Sequence, residues 1–266
     1  MTHWVSFCHD GRNGFGTLCD GIITVHDGDM FAGSRPTGQT VALADARLRI
    51  PCQPVNMVCL WNNFAANAAK QNLSRPAEPL WFLKSPSSFL AHGEAIRRPP
   101  SYSGKIVYEG ELGIVIGKRC AHVSEAEAPD YIFGYTCVND VTAIELINKD
   151  ASFAQWTRAK SFDTFGAFGP AIATGLDPMT LSIRTVLNGT ERQNYPVSDM
   201  FFPPARLVSL ISQDITLQPG DVIACGTSVG VGVISKAENT VDVSIEGIGT
   251  LSNTLTQTLP AEAART

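Results

Sequence analysis

The sequence predicts an α+β chain dominated by β-structure, on three observations. The stretch Ile106–Lys118 is rich in β-branched residues and alternates with the period of a strand. Short apolar runs bounded by Gly, Pro, Asn and Asp clusters recur at both ends of the chain. Helix-like stretches are few and short, the clearest being the alanine-rich segment inside Trp61–Lys70.

At 266 residues the chain can bury one large core, or a catalytic domain with a small appendage. Its apolar fraction of 44% and charged fraction of 17% are those of a soluble globular protein. A net charge of −5 and the lack of any Lys/Arg cluster argue against a nucleic-acid partner. No apolar run is long enough to cross a bilayer, so no membrane association is expected. Met1-Thr2-His3-Trp4 lacks the basic and apolar regions of a signal peptide. The seven cysteines form no C-x-x-C pair, which reads as free thiols in a reducing compartment and a cytoplasmic location.

Taken in order, residues 4–50 read as short strands (Trp4–Phe7, Thr17–Leu18, Gly21–Val25) separated by the turn clusters Asp10–Gly14 and Asp27–Asp29. This segment is too short for a core of its own and is expected to dock on the rest of the chain. Pro51 and Pro54 mark a boundary, giving a small N-terminal β-rich domain over 1–53, a catalytic domain over 54–258 and a flexible tail over 259–266. Val55–Leu60 reads as a strand leading into a short asparagine-capped helix within Trp61–Lys70. Leu80–Lys84 reads as another strand, and Ser85–Ser103, with Pro86, Pro99 and Pro100, as a loop. A short helix capped by Ser124 is expected over Ser124–Pro129, then a strand over Tyr131–Val138 ending in Asn139-Asp140. Val141–Trp156 is expected to hold a helix and Arg158–Phe165 to be irregular, before Gly169-Pro170 turns the chain. The remainder reads as β: Leu181–Leu187, a hairpin at Asn188-Gly189, Val222–Cys225 and Thr240–Glu246. The glycine-rich loop Gly226–Gly232 lacks the Lys-Ser/Thr of a phosphate loop and reads as a place of close backbone approach to a small ligand.

The stretch Ile106–Lys118 carries the chemistry. Strand alternation puts Val107, Glu109, Glu111, Gly113 and Val115 on one face, with Tyr108, Leu112, Ile114 and Ile116 on the other, where Tyr108 reads as core. Glu109 and Glu111 are then ~7 Å apart among apolar neighbours. Two like charges in such a setting repel and are poorly solvated, and an oxygen-ligated divalent cation is one way to offset them. The same spacing also describes two solvated glutamates at a strand edge.

The ordered set of motifs resembles the fumarylacetoacetate hydrolase family. It runs Glu109-x-Glu111-Leu112 with Val115-Ile116-Gly117-Lys118, Gly134-Tyr135-Thr136 with Asn139-Asp140, and Lys160–Phe165 with Gly169-Pro170. Asn188-Gly189 with Arg192-Gln193, Pro219–Ile223 and Gly226-Thr227 complete it. The resemblance implies a mixed β-sheet roll with peripheral helices, assembled as a homodimer. It implies that Glu109, Glu111 and Asp140 bind the metal, a donor set suited to Mg²⁺ or Mn²⁺ that Ca²⁺ also satisfies. It places Lys160 as the active-site lysine that steadies negative charge on the substrate, and Thr227 against the substrate carboxylate. Gln193 falls at a pocket glutamine, with hairpin packing as its other reading; Asp163 either orients Lys160 or serves a turn.

The departures shape the functional reading. Many members carry Asn-Tyr-x-x-His-x-x-Glu early in this domain, a lid whose His–Glu pair activates water. Here Asn67 stands at the histidine and Lys70 at the glutamate, and Trp61 replaces a glycine. Asparagine takes no proton at neutral pH, and general-base help is worth ~10²–10⁴ in rate. Asn67 is then left as a substrate-binding residue, and His92 in the Ser85–Ser103 loop is the one other base to name. Ile144 and Glu145 stand where the family often has an arginine and an aspartate. Chemistry needing no activated water survives: a 2-oxo acid held through its carboxylate and 2-oxo oxygens, with the cation stabilising an enolate. The reading is therefore a lyase or isomerase that decarboxylates an oxaloacetate-like substrate or moves a proton in keto–enol isomerisation. The alternatives are hydrolysis of an acylpyruvate or fumarylpyruvate, carbon–carbon bond formation from a decarboxylation-derived enolate, and a non-catalytic metal-binding homologue.

Overall fold

In the computed structural model, residues 1–257 are described; the tail expected over 259–266 lies outside them. The chain opens with four antiparallel strands, β1 (Thr2–His9), β2 (Arg12–Cys19), β3 (Ile22–Asp29) and β4 (Gly33–Ala42), then a short β5 (Arg47–Leu48). There follow β6 (Met57–Trp61), α1 (Ala65–Lys70), β7 (Leu80–Lys84), β8 (Phe89–Leu90), β9 (Ala95–Arg97), β10 (Ile106–Tyr108) and β11 (Gly110–Ile116). Next come β12 (Ile132–Asp140), β13 (Thr142–Ala143), α2 (Trp156–Lys160), β14 (Gly166–Thr174), β15 (Ser182–Leu187), β16 (Thr190–Pro196) and α3 (Pro204–Asp214). β17 (Val222–Ala224), β18 (Gly232–Val233), β19 (Glu238–Ile245) and β20 (Gly249–Thr256) complete it.

The main sheet runs β4-β3-β2-β1-β14-β12-β11-β17-β6-β7, with β5 on β1 and β8 on β14. It is mixed, since β17 lies parallel to β6 among antiparallel pairs. The N-terminal strands continue this sheet, β1 pairing β14 at Thr2↔Thr174 through Trp4↔Ile172. A second sheet, β16-β15-β19-β20-β9, packs across β11, β12 and β14. Leu112, Ile114, Ile183, Val243 and Leu251 fill the space between the two. The architecture is the β-rich α+β arrangement expected from the sequence.

The stretch expected as one strand is two. β10 belongs to a small third sheet, β13-β10-β18, and β11 to the main sheet, with Glu109 at the break. The crossing is held on both sides of one residue: the Glu109 amide donates to Asn139 Oδ1 (3.1 Å), and the Glu109 carbonyl accepts from the Asp140 amide (2.9 Å). Tyr108 is core as expected, its hydroxyl donating to the Gly230 carbonyl.

Local expectations differ elsewhere for tertiary reasons. Val141–Trp156 holds no long helix; Ile106 and Val107 recruit its start as β13, a 3-10 turn comes next at Ile144–Leu146, and α2 begins only at Trp156. Lys160 thus ends a short helix. Ser124 and Glu127 cap each other reciprocally, but the segment they lead into is a 3-10 turn over Ala128–Tyr131. Ser85–Ser103 contains β8 and β9, which gain partners only from β14 and β20. Gly169-Pro170 lies inside β14, where the register against β12 shifts. α1 starts at Ala65 with no side-chain cap; Asn63 instead points inward. The longest helix, α3, is not among the expected elements, although Pro204 at its first position and Leu207, Val208 and Ile211 along one side mark it. Among the described residues no helix is long and apolar enough to cross a membrane.

Asp221, fully buried, fixes the start of β6 against β17. Its carboxylate accepts from the amides of Val55 (2.9 Å), Asn56 (2.8 Å) and Gln218 (2.9 Å) and from Asn56 Nδ2 (3.0 Å). Asp221→Ala leaves these donors unpaired and is expected to cost about 3 kcal/mol of stability, read from the urea midpoint.

Candidate metal centre

Glu109 at the break between β10 and β11, Glu111 at the second position of β11, and Asp140 at the end of β12 converge. Each offers a carboxylate oxygen, and these oxygens all lie within 4.8 Å of one another. The oxygens lie closer than the ~7 Å between next-but-one residues of a strand, so the side chains converge. Glu111 and Asp140 are fully buried; Glu109, at 15% side-chain exposure, is the solvent side of the cluster.

Two lysines face the three carboxylates. Lys160, delivered by α2, donates to Asp140 Oδ2 (2.6 Å) and Glu109 Oε1 (2.8 Å). Lys84, at the end of β7, is ion-paired to Asp140 Oδ1 and reaches the Val141 carbonyl (3.3 Å). Sequence reasoning places Lys84 only in a strand and misses this role; the signal available is a lysine closing the apolar run Leu80–Leu83. Thr142 Oγ1 donates to Glu109 Oε1 (2.7 Å).

Burial opposes every charge here, and the ion pairs decide the outcome. Asp140 is desolvated, yet Lys160 and Lys84 hold its carboxyl below the usual range. Lys160 is desolvated too, but Asp140, Glu109 and Glu111 keep it protonated beyond the ordinary lysine value. Glu111 is the exception. Desolvation, with Asp140 and Glu109 adding to it, pushes its carboxyl well above the usual range, against the Gly226 amide that donates to Oε2 (2.8 Å). Its Oε1 is buried and has no hydrogen-bond partner among the described residues. An orphaned buried carboxylate oxygen facing two more carboxylates fits a hard dication with oxygen ligands, so the donor set suits Mg²⁺ or Mn²⁺.

Thr227 and Gln193 act on the residue between the glutamates. Gln193 Oε1 accepts from the Gly110 amide (3.0 Å), Thr227 Oγ1 donates to the Gly110 carbonyl (2.9 Å), and Gln193 Nε2 donates to Thr227 Oγ1 (2.8 Å). Tyr195 adds its hydroxyl to the same carbonyl. Gly110 is required there, since a Cβ would lie 2.0 Å from Thr185 Oγ1. Gln193 is buried with its amide fully engaged, so it braces the Glu109–Glu111 turn; Thr227 is half-buried.

Other candidates do not join the cluster. Asn67, half-buried on α1, accepts from Gln71 Nε2 (3.1 Å) on its own helix. Lys70 and Asp163 are exposed, and it is the carboxylates, not Asp163, that hold Lys160. His92 accepts the Ser252 amide at Nδ1 (3.1 Å) and lines a separate cavity with His3, Leu18, Pro170 and Ile248. It is therefore not the missing base. Trp61 packs on Trp156 (centroids 5.6 Å apart), which stacks on Phe82, and Phe82 lies 5.2 Å beneath the Lys160 ammonium.

Residues 56–256 match the family described as fumarylacetoacetate (FAA) hydrolase C-terminal. The chain belongs to this family. Residues 2–51 match a second family, Rv2993c-like, N-terminal. Among relatives, the oxaloacetate tautomerase YisK of Bacillus subtilis is 34% identical over 80% of this chain and 74% of its own. A crystal structure of 2-hydroxyhepta-2,4-diene-1,7-dioate isomerase from Mycobacterium marinum superposes with a TM-score of 0.88 at 36% identity, covering 96% of this chain and 98% of that one. Fumarylpyruvate hydrolase from Pseudomonas aeruginosa, solved with Mn²⁺ and pyruvate, gives 0.71 at 26% identity over 84% and 93%.

Glu111 sets a pH signature for the cation-free protein. Its folded carboxyl lies above the ordinary 4.5, so its contribution to stability is present below that value and fades as pH rises through the folded pKa. Asp140 works in the opposite sense, its contribution being lost as pH falls. Glu111→Gln is expected to raise the cation-free melting temperature at neutral pH, by about 2–4 °C per kcal/mol of repulsion relieved, and to flatten its decline toward alkaline pH. The same variant should lose the stabilisation that the wild type gains from MnCl₂. Calorimetry across pH, with and without Mn²⁺, checks both.

Proposed function

We propose that this protein is a divalent-metal-dependent enzyme that interconverts the keto and enol forms of oxaloacetate-like 2-oxo acids. Decarboxylation of the same substrates is the neighbouring outcome, because both pass through negative charge on the 2-oxo oxygen. The observation that carries the reading is the convergence of Glu109, Glu111 and Asp140 beside a protonated, buried Lys160, with no histidine among them. Glu109, Glu111 and Asp140 would hold Mg²⁺ or Mn²⁺, which supplies Lewis-acid polarisation of the 2-oxo oxygen when bound.

The chain's own groups account for the rest. Lys160 keeps its proton and presents it where oxyanion charge develops, in a site dry enough for that interaction to count. Trp61, Trp156 and Phe82 back the lysine with an apolar wall that keeps water from its far side. In this reading the half-buried Thr227 of the Gly110 brace would meet the substrate carboxylate, and the half-buried Asn67 on α1 would meet the outer end of the substrate. The likeness to an oxaloacetate tautomerase supports this chemistry. The likeness to fumarylpyruvate hydrolase supports hydrolysis, but α1 carries Asn67 and Lys70 where water activation needs a proton acceptor. A cytoplasmic homodimer is part of the same reading.

Proton NMR with Mg²⁺ or Mn²⁺ against oxaloacetate and a set of acylpyruvates tests it. The expected result is faster enol-to-keto conversion and C3 deuterium exchange in oxaloacetate, with acylpyruvates left intact. Clean acylpyruvate hydrolysis with no exchange would sink the proposal. Lys160→Met is expected to lower the tautomerase rate by about 10²–10⁴-fold. Asn67→His with Lys70→Glu is expected to raise any hydrolytic activity; no change would count against α1 as the water-activating segment.

A further inference from the structure

We propose that Lys84 is a positioning residue for Asp140: it grips one carboxylate oxygen so that the other faces Glu109 and Glu111, and in doing so it sets the affinity of the site for a divalent cation. This rests on reading the three carboxylates as a metal centre. The two lysines on Asp140 are not equivalent. Lys160 bridges Asp140 Oδ2 and Glu109 Oε1, so its ammonium lies between two of the three donors. Lys84 touches neither glutamate; its ammonium meets Asp140 Oδ1 and the Val141 carbonyl, on the opposite side of the carboxylate. Glu109, Glu111 and Asp140 would hold the cation, and of the two lysines only Lys160 also touches a second donor, so the Lys84 contact is the one that could persist beside it.

The surroundings of Lys84 are built for it. Its side chain is 0% exposed, in a strand whose other inward residue, Phe82, lies under Lys160. Gly166 on β14, the register partner of Asp140, opens the path of the stem: a Cβ there would lie 3.2 Å from Lys84 Cε and 2.8 Å from Ser88 Oγ. A fully buried lysine is tolerated only with its charge paired, and here the pair fixes both the rotamer and the ionisation of a ligating carboxylate. Hydrogen-bond partners of this kind behind a metal ligand typically govern about 10–100-fold in affinity.

Mn²⁺ binding followed by electron paramagnetic resonance, together with melting temperatures with and without Mn²⁺, tests the assignment on wild type, Lys84→Gln, Lys84→Met and Gly166→Ala. Both Lys84 variants are expected to bind Mn²⁺ about 10–100-fold more weakly. Their Mn²⁺-induced rise in melting temperature should shrink relative to each variant's own metal-free value. A merely structural lysine would lower the metal-free value and leave that increment intact. Unchanged or tighter Mn²⁺ binding in Lys84→Met, which fills the same space without the charge, overturns the proposal. Should the Lys84 variants not fold, Gly166→Ala decides: it keeps the lysine but crowds its stem, and unaltered affinity there is equally fatal. Wild type that fails to bind Mn²⁺ removes the metal-centre reading and this role with it, whereas binding wild type beside unaffected variants removes only the role of Lys84.

Discussion

Carboxylate repulsion inside a dry interior is the constraint around which this molecule is arranged. Three acidic side chains from β11, β12 and the break before β11 present oxygens within 4.8 Å of one another, and two of the three are fully buried. Two lysine ammonium groups neutralise Asp140 and Glu109, and among the described residues Glu111 has no cationic partner in contact. A protein optimised only for stability would not keep such a group, because an uncompensated buried carboxylate is costly. Such a local cost is what functional sites characteristically carry.

The surrounding fold can be understood as scaffolding for that cluster. Gly110 lets the backbone turn between the two glutamates, and the Gln193–Thr227–Tyr195 brace holds its amide and carbonyl from the second sheet and the glycine-rich loop. Asn139 and Asp140 pin the other edge through the Glu109 main chain. Asn63 ties the entrance of α1 to Cys225 and Phe202, and the next residue, Gly226, donates to Glu111. Each carboxylate is thus fixed by hydrogen bonds from a different part of the chain, which is how a weak local geometry becomes a rigid one.

The electrostatics also separate the roles of the two lysines. Lys160, buried at 2% side-chain exposure, bridges Asp140 and the partly exposed Glu109. Lys84, with 0% side-chain exposure, holds the other oxygen of Asp140 and touches neither glutamate. The two lysines share a residue type and a partner but differ in what else they touch: Lys160 also meets Glu109, and Lys84 meets the Val141 carbonyl.

What the sequence by itself determined was the β-rich class, through alternating apolar patterns, and the ordered set of motifs that marks the family, within which Glu109, Glu111, Asp140 and Lys160 stand at the positions that the fold brings together. It also showed that the α1 segment carries Asn67 and Lys70, neither of which takes a proton at neutral pH. Only the tertiary structure decided the break at Glu109, the recruitment of β8, β9 and β13 by distant partners, and the burial of Lys84 beneath Asp140. It likewise turned Gln193 into a brace and moved His92 to another cavity. The reason is common to all of these: they depend on contacts between residues far apart in the chain, where pairing and desolvation override local preference.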